Sequence, residues 1–372
     1  MFTIKEIKDD KIDKFIKCPY EIYKGNSYWI PQLDRDVKNI LSDKNPFWRH
    51  AKRALFLAYD DNKKIVGRIA GIIDYNYIEF QENEIGFFGF FECVNNVEAA
   101  KRLFACVENF LAENNIKKMM GPMNPSTNDE VGFLYEGFDS PARIMMPYTH
   151  KYYIDLAEQA GLKKIKELYA YEIPVALDDR MVRLNKALNI VKKRNPTITI
   201  RTFSKKNYKK DLADVMEIYN SAWEKNWGFV PWTNEEFETI ADSLVGLLDE
   251  KIVMMAYDGE NPAGMLIAIP DYNYILKKLN GKLFPFGFLK FLYFKNKVKD
   301  LRLMIMGVKK EYRNKGIEAY MAGEALKNSV SAGYENCELS WILDDNVMTQ
   351  RTAEMMSGRL YKRYAVYSNA GI

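Results

Sequence analysis

The chain has 372 residues, of which 48% are hydrophobic and 28% charged, and its formal net charge is +4. That length suffices for two domains of ordinary size, and that balance excludes a disordered or low-complexity chain. The charge is small and spread over many Lys, Asp and Glu, which argues against a nucleic-acid partner.

The elements fall in a recurring order. Phe2 to Ile7 alternates as a short strand, and Asp13 to Tyr23 and Asp34 to Leu41 have helical spacing. Ala54 to Tyr59 and Ile65 to Tyr75 read as strands around an Asp-Asp-Asn-Lys turn. Ile85 to Glu92, glycine-spaced and aromatic, fits a central strand. Asn96 then caps a helix whose apolar positions are Val97, Ala100, Phe104, Val107 and Leu111. Lys117 to Met120 is a strand that enters a long polar stretch. Lys151 to Ala160 is a helix stopped by Gly161, and Leu162 to Tyr171 is a strand.

A charged helix, Leu177 to Asn195, precedes Pro196, and then the series restarts. Thr197 to Phe203 is a strand, Asp211 to Trp223 and Asn234 to Leu248 are helices, and Ile252 to Tyr257 and Ala263 to Ile269 are strands. After an aromatic, lysine-rich segment, Leu301 to Val308 forms a buried strand. Arg313 to Gly316 is a turn, and Ile317 opens a helix. Glu335 to Leu343 is a strand, Asn346 caps the helix from Val347 to Met356, and Arg359 to Tyr367 is the last strand. Local echoes bind the two series. Tyr169-Ala170-Tyr171 ends one final strand as Tyr364-Ala365-Val366-Tyr367 ends the other, and Tyr28-Trp29-Ile30-Pro31 matches Gly228-Phe229-Val230-Pro231 in position. The expected division is 1–176, a connecting helix at 177–196, and 197–372.

Cys18, Cys93, Cys106 and Cys337 have no paired metal or disulfide spacing, so the expected setting is a reducing cytoplasm. His50 and His150 are the only histidines, and no metal site is expected from them. No stretch has the length of a membrane span.

A strand, a short glycine-bearing loop and a helix N-terminus suit a phosphate, because unpaired N–H groups and the positive end of the dipole converge there. Arg313-Asn314-Lys315-Gly316-Ile317-Glu318 resembles the Arg/Gln-x-x-Gly-x-Gly/Ala loop of the GNAT acyltransferase superfamily, which holds the pyrophosphate of coenzyme A. Glu318 departs from that pattern, where a small residue is usual. The elements after the loop match the second half of a GNAT domain in order. The whole chain resembles a bacterial family of uncharacterised tandem GNAT-fold proteins. The resemblance rests on Asn45-Pro46-Phe47, the run from Gly86 to Glu92, the run from Gly121 to Glu130, Asn226 to Pro231, and Glu338 to Leu343. In that family an acidic residue at the Glu318 position is usual.

The resemblance implies an α/β (α+β) chain of two tandem GNAT-like domains, each a mixed, mostly antiparallel sheet flanked by helices, with the first domain degenerate. It implies an acyl-CoA-dependent N-acyltransferase, with acetyl-CoA or another acyl-CoA as co-substrate and a small-molecule or peptide amine as acceptor. Met306, Gly307 and Val308 would pair with the pantetheine arm, and Arg313, Asn314, Lys315, Gly316 and Ile317 would face the pyrophosphate. The first series has Cys-Val-Asn-Asn at this position and no glycine, so no CoA is expected there.

Glu338 and Asp344 share one face of their strand by alternation and are the candidate acid–base carboxylates. The helix after Asn346 has no tyrosine, which moves the general acid to Tyr361 or Tyr364. Trp223, Trp227 and Phe229, together with Asn124, Asn128 and Glu130 of the polar loop, are the candidate acceptor-binding residues. The aromatic run from Phe284 to Phe294, interleaved with lysines, is expected between the two halves, with a membrane or a long acyl chain as the alternative. A CoA-independent aminoacyl transferase and a non-catalytic ligand-binding protein of the same fold remain the competing functions.

Overall fold

The computed structural model of the chain describes residues 2–8 and 11–371, and side chains within these except at 179–184, 186 and 187. The first series runs β1 (Thr3–Ile7), α1 (Ile12–Ile22), α2 (Asp34–Ile40), β2 (Ala51–Tyr59), β3 (Ile65–Asp74), α3 (Tyr75–Gln81), β4 (Ile85–Cys93), α4 (Val97–Glu113) and β5 (Lys118–Gly121). It continues with a small hairpin, β6 (Met123–Asn124) and β7 (Glu130–Val131), then β8 (Phe133–Glu136), α5 (Tyr152–Gln159) and β9 (Lys163–Pro174). After α6 (Asp179–Arg194), the second series is β10 (Ile198–Thr202), α7 (Tyr208–Ala222), α8 (Asn234–Val245), β11 (Met254–Asp258) and β12 (Asn261–Pro270). Then come α9 (Asn273–Leu279), α10 (Gly287–Phe294), β13 (Asp300–Val308), α11 (Ile317–Ser331), β14 (Asn336–Leu343), α12 (Val347–Met355) and β15 (Arg359–Ser368).

Local chemistry sets these elements. The α4 residues Ala99, Leu103, Phe104, Val107 and Leu111 are all buried at helical spacing, and the Asn96 side chain accepts the Ala99 N–H at its start. Asn346 likewise accepts from Thr349 N–H at the start of α12. Thr233 and Glu236 form a reciprocal capping box on α8.

All described strands but β6 and β7, which pair only with each other, form one continuous sheet in the order β1-β2-β3-β4-β5-β15-β9-β14-β13-β12-β11-β10, with β8 also on β15. Neighbours are antiparallel except β4 with β5 and β13 with β14. The two closing strands change places. β15, from the end of the chain, lies beside β5, while β9 lies beside β14. They also pair with each other from Arg359↔Glu172 to Ser368↔Lys163. The apolar core follows this exchange. Leu168, Val230, Leu343, Tyr364 and Val366 pack in one cluster with Phe15, Leu57 and Phe87. The two halves are therefore joined by a shared sheet and a shared core.

A second seam lies at the start of α8. Arg49 pairs with Glu235, and His50 lies 3.1 Å from Asp74 through Nδ1 and 3.1 Å from Glu236 through Nε2. Burial lowers the His50 pKa, but the two carboxylates outweigh it and raise the value from 6.5 to about 9. A histidine with a raised folded pKa adds stability that is fully present below its unfolded value and is lost as pH rises through the folded one. The seam should thus weaken between pH 6.5 and about 9. Thermal melts across that window should show a fall on the order of 1–3 kcal/mol that His50→Gln flattens. A variant with the same pH dependence as the wild type would exclude this coupling.

Candidate functional site

β13 and β14 pair in parallel from Asp300↔Asn336 to Leu303↔Leu339 and then part. Beyond that point Met306, Gly307 and Val308 keep their ladder with β12 on one side only. The parted strands leave a wedge whose β13 edge can pair with an extended ligand as a strand would. Trp223 lies over Gly307, where a Cβ would strike its ring. At the end of β13, Arg313 donates to the Ala222 carbonyl at 2.7 Å and to the Val308 carbonyl at 3.4 Å.

Asn314 and Gly316 take φ of 62° and 78°. The N–H groups of Asn314, Lys315, Gly316 and Ile317 have no acceptor among the described residues. Such a loop with exposed Asn314 and Lys315 at a helix start fits an anion. One side of it is covered. Val191 of α6 stands 2.7 Å from the place of a Cβ on Gly316, and Asn195 donates to the Lys315 carbonyl at 3.1 Å.

The candidate carboxylates separate. Glu338 is 0% exposed and accepts hydrogen bonds from Ser340 and Tyr361, with Arg302 of β13 at 3.8 Å. Asp344 instead pairs with Lys166 of β9 at 2.6 Å and accepts the Glu167 N–H at 3.3 Å. The cause is a register shift between β14 and β9 from Leu339 to Ile342, which breaks strict alternation along the strand. Glu338 and Tyr361 thus meet, and Asp344 does not join them. Burial, with the Glu338 charge beside it, pushes the Tyr361 phenol far up.

In the first half, β4 and β5 also part, after Phe87↔Met120. That wedge is filled by the chain itself. The Asn124 side chain accepts the Phe90 N–H at 2.6 Å, and the Met123 carbonyl stands against Gly89. The polar loop continues toward the second half, where Asn128 donates to the Val230 carbonyl at 3.1 Å and accepts from Tyr219 at 3.0 Å. Glu130 accepts from Gln32 at 2.5 Å. The aromatic candidates divide. Trp223 stacks on Tyr219 at 5.2 Å, whereas Trp227 packs against the shared core. Phe229 meets Phe80 at 5.6 Å and is held by Gln81, which donates to its carbonyl. The run from Phe284 to Phe294 lies only in part between the halves, where Phe291 and Phe294 join a cluster with Leu33, Ile144 and Met145 of the first half. Phe284, Phe286, Phe288, Leu289 and Tyr293 are exposed, because α9 and the partly buried Phe291 and Phe294 suffice to seat α10.

A cavity of about 110 Å³ opens beside β4, between α1, the 28–34 segment and the β6–β7 hairpin. Glu92 and Arg68 lie in its wall, with Asn124 and Glu130. Tyr153 donates to Glu92 at 2.7 Å, and Arg68 approaches it at 3.6 Å. Arg68 Nε is buried with no hydrogen-bond partner among the described residues. Burial raises the Glu92 pKa from 4.5 to about 7, against the opposing pull of Arg68 and the Tyr153 and Tyr23 hydroxyls. A carboxylate at that value in a cleft is a proton acceptor matched to neutral pH. Sequence reasoning named Glu92 only as part of an aromatic motif. Its signal was a lone carboxylate closing the apolar run from Gly86 to Phe91.

The architecture and the β13–α11 loop define a tandem protein of the GNAT acyltransferase fold. A tandem GNAT protein from the clavulanic acid biosynthesis pathway superposes with TM-score 0.58 at 9% identity, over 99% of this chain and 98% of that one. A GCN5-related N-acetyltransferase from Sphaerobacter thermophilus does so with TM-score 0.52 at 12% identity, over 100% and 97%. No family model matches the chain. Whole-length relatives do. It is 31% identical over 367 residues to protein YghO of Escherichia coli (strain K12), covering 97% of this chain and 93% of that protein. It is 33% identical over 370 residues to the bacterial ceramide synthase of Caulobacter vibrioides (strain NA1000 / CB15N), covering 97% and 95%. The chain belongs to the bacterial tandem GNAT-fold family that these two proteins represent.

Proposed function

We propose that this protein is an acyl-CoA-dependent N-acyltransferase whose acceptor is the amine of a long-chain amino alcohol. The observation that carries the reading is Glu92, a carboxylate with a pKa of about 7 in the wall of a polar cavity. The relative's name supports the acceptor class, since a ceramide is an amide of a long-chain amino alcohol. The cavity volume of about 110 Å³ suits a polar head group and leaves the chain outside.

When bound, an acyl-CoA supplies a thioester carbonyl open to attack by an amine. The N–H groups of Asn314 to Ile317, with Lys315, would hold its pyrophosphate, and the free edge at Met306 to Val308 would pair with its pantetheine arm. Glu92 would take one proton from the acceptor ammonium, while Tyr153 and Arg68 hold the carboxylate in place; as the C–N bond forms and the C–S bond breaks, the second amine proton would go to the sulfur, which leaves as the thiol. The polar loop links the two regions, from Glu130 in the cavity wall through Asn128 to Tyr219, and on to Trp223 over Gly307.

The test is thiol release from acyl-CoAs of increasing length with a long-chain amino alcohol, with the amide identified by mass. The seating of Val191 against Gly316 favours a second reading, a transferase with a donor other than CoA. Calorimetric titration with acyl-CoAs separates them, since folded protein that binds none supports the second.

Two variants report on the donor loop. Lys315→Ala should weaken acyl-CoA binding by no more than about fivefold, because it removes one solvated contact. Gly316→Asp should weaken it far more, since its side chain must displace Val191 and shift the loop whose N–H groups face the pyrophosphate. Gly316 has a φ of 78° and Val191 at 2.7 Å, so this variant is also strained, and its melting must be measured beside its affinity. Equal affinities in two folded variants would remove the phosphate assignment.

A further inference from the structure

The insertion between β12 and β13 has no counterpart of its size between β3 and β4, where only α3 stands. Residues 272–299 of this insertion hold seven lysines and no Asp or Glu. Its tip is apolar and open, with Phe284 66%, Phe286 69%, Leu289 62% and Tyr293 65% exposed. These side chains are contiguous in sequence around the start of α10, and Phe288 and Leu292 beside them are exposed as well. The acids that bound the insertion, Asp271 and Asp300, are both paired with Arg143. Lys277 and Lys299 are engaged at the base, with the Ser27 carbonyl and with Glu335. Lys278, Lys282, Lys290, Lys295 and Lys297 have no acidic partner among the described residues.

We propose that this α9–α10 insertion docks the protein on an anionic lipid surface, with the aromatic tip in the interface and the lysines at headgroup level. Exposed aromatic and aliphatic side chains beside lysines without acidic partners are what such an interface retains, and Asp34, which lies against the turn at Gly281, is paired with Lys17. A protein partner with an acidic rim is a different occupant, and the test distinguishes it. The patch is also placed for access. The Gly281 carbonyl accepts the Asp34 N–H at 3.0 Å, and a Cβ on Gly281 would strike the Tyr20 hydroxyl. Tyr20, Asp34 and Asn273, the first residue of α9, line the cavity beside Glu92. An amphiphile could leave the lipid surface and present its head group there. Docking itself does not rest on the acyltransferase reading, and its test reads no turnover. No helix among the described residues is long and apolar enough to cross a membrane.

The experiment is vesicle flotation of the full chain. Vesicles of phosphatidylcholine with about 30 mol% phosphatidylglycerol should carry the protein, and pure phosphatidylcholine should carry much less. Lys→Gln changes at 282, 290 and 295 should each weaken binding by about fivefold, and raised salt should act the same way. Phe284→Ser, Phe286→Ser and Leu289→Ser combined should remove flotation without lowering the melting temperature, since all three side chains lie on the surface. Equal flotation of wild type and triple variant, or no flotation on anionic vesicles at low salt, would overturn the proposal. So would a triple variant that turns a dimer into a monomer on gel filtration while the wild type ignores vesicles, because the patch would then join two copies of this chain.

Discussion

Replacing Glu92 by glutamine should lower the turnover number about 100-fold or more while leaving the acyl-CoA affinity unchanged. The amide keeps the size of the side chain and can still accept from Tyr153, but it cannot take a proton. In the wild type, activity should rise as pH passes about 7, since only the ionised carboxylate is a base. Glu92→Gln should lose that limb of the profile. The same substitution should stabilise the fold. A carboxyl whose folded pKa is raised binds a proton more tightly when folded than when unfolded, so between 4.5 and about 7 stability falls as pH rises. Below 4.5 both states are protonated and no penalty exists, and above about 7 it is complete. Removing the charge should therefore return on the order of 1–3 kcal/mol at pH 8 and nothing at pH 4. Urea unfolding at both values checks this. A variant with full turnover, or one destabilised at pH 8, would rule out Glu92 as a buried base.

The order of strands and helices was legible because each element carried its own period and stops. The helix from Val97 and the caps at Asn96 and Asn346 lie where the pattern placed them. The helix at Tyr75–Gln81 was missed because its residues continue the apolar run of β3, and only Asp74, capping Asn76 and Tyr77, marks the break. The exchange of β9 and β15 was not legible. Both strands end in similar tyrosine-rich segments, and nothing local states which sheet edge each completes. The site was partly legible for the same reason. Loop chemistry at Arg313 to Ile317 is contiguous in sequence, whereas the Glu92 cavity draws on α1, β3, β4 and the β6–β7 hairpin. Glu338 and Asp344 appeared equivalent by alternation, and the register shift that parts them belongs to the pairing with β9.

Glu338→Ala should cost about 3–5 kcal/mol of stability, because it strips the counter-charge from a buried guanidinium. Arg302 is 5% exposed and donates to Ser340 Oγ at 2.8 Å, to the Ile144 carbonyl at 2.9 Å and to the Met145 carbonyl at 3.1 Å. Those bonds fix its position but do not neutralise it. Glu338 is the carboxylate beside it on the neighbouring strand, with Ser340 and Tyr361 both donating to it. The cluster sits where β13 and β14 begin to part, and Tyr361 ties it to β15. Loss of the carboxylate would leave Arg302 charged and the two hydroxyls without their acceptor. Glu338→Gln keeps one carbonyl acceptor and should cost less. Replacing Arg302 and Glu338 together by Met and Leu should recover most of the loss, since no buried charge then remains. Urea unfolding of the three variants gives the comparison. If Glu338→Gln kept wild-type stability and yet abolished turnover, Glu338 would belong to the chemistry, and its part in neutralising Arg302 would be secondary.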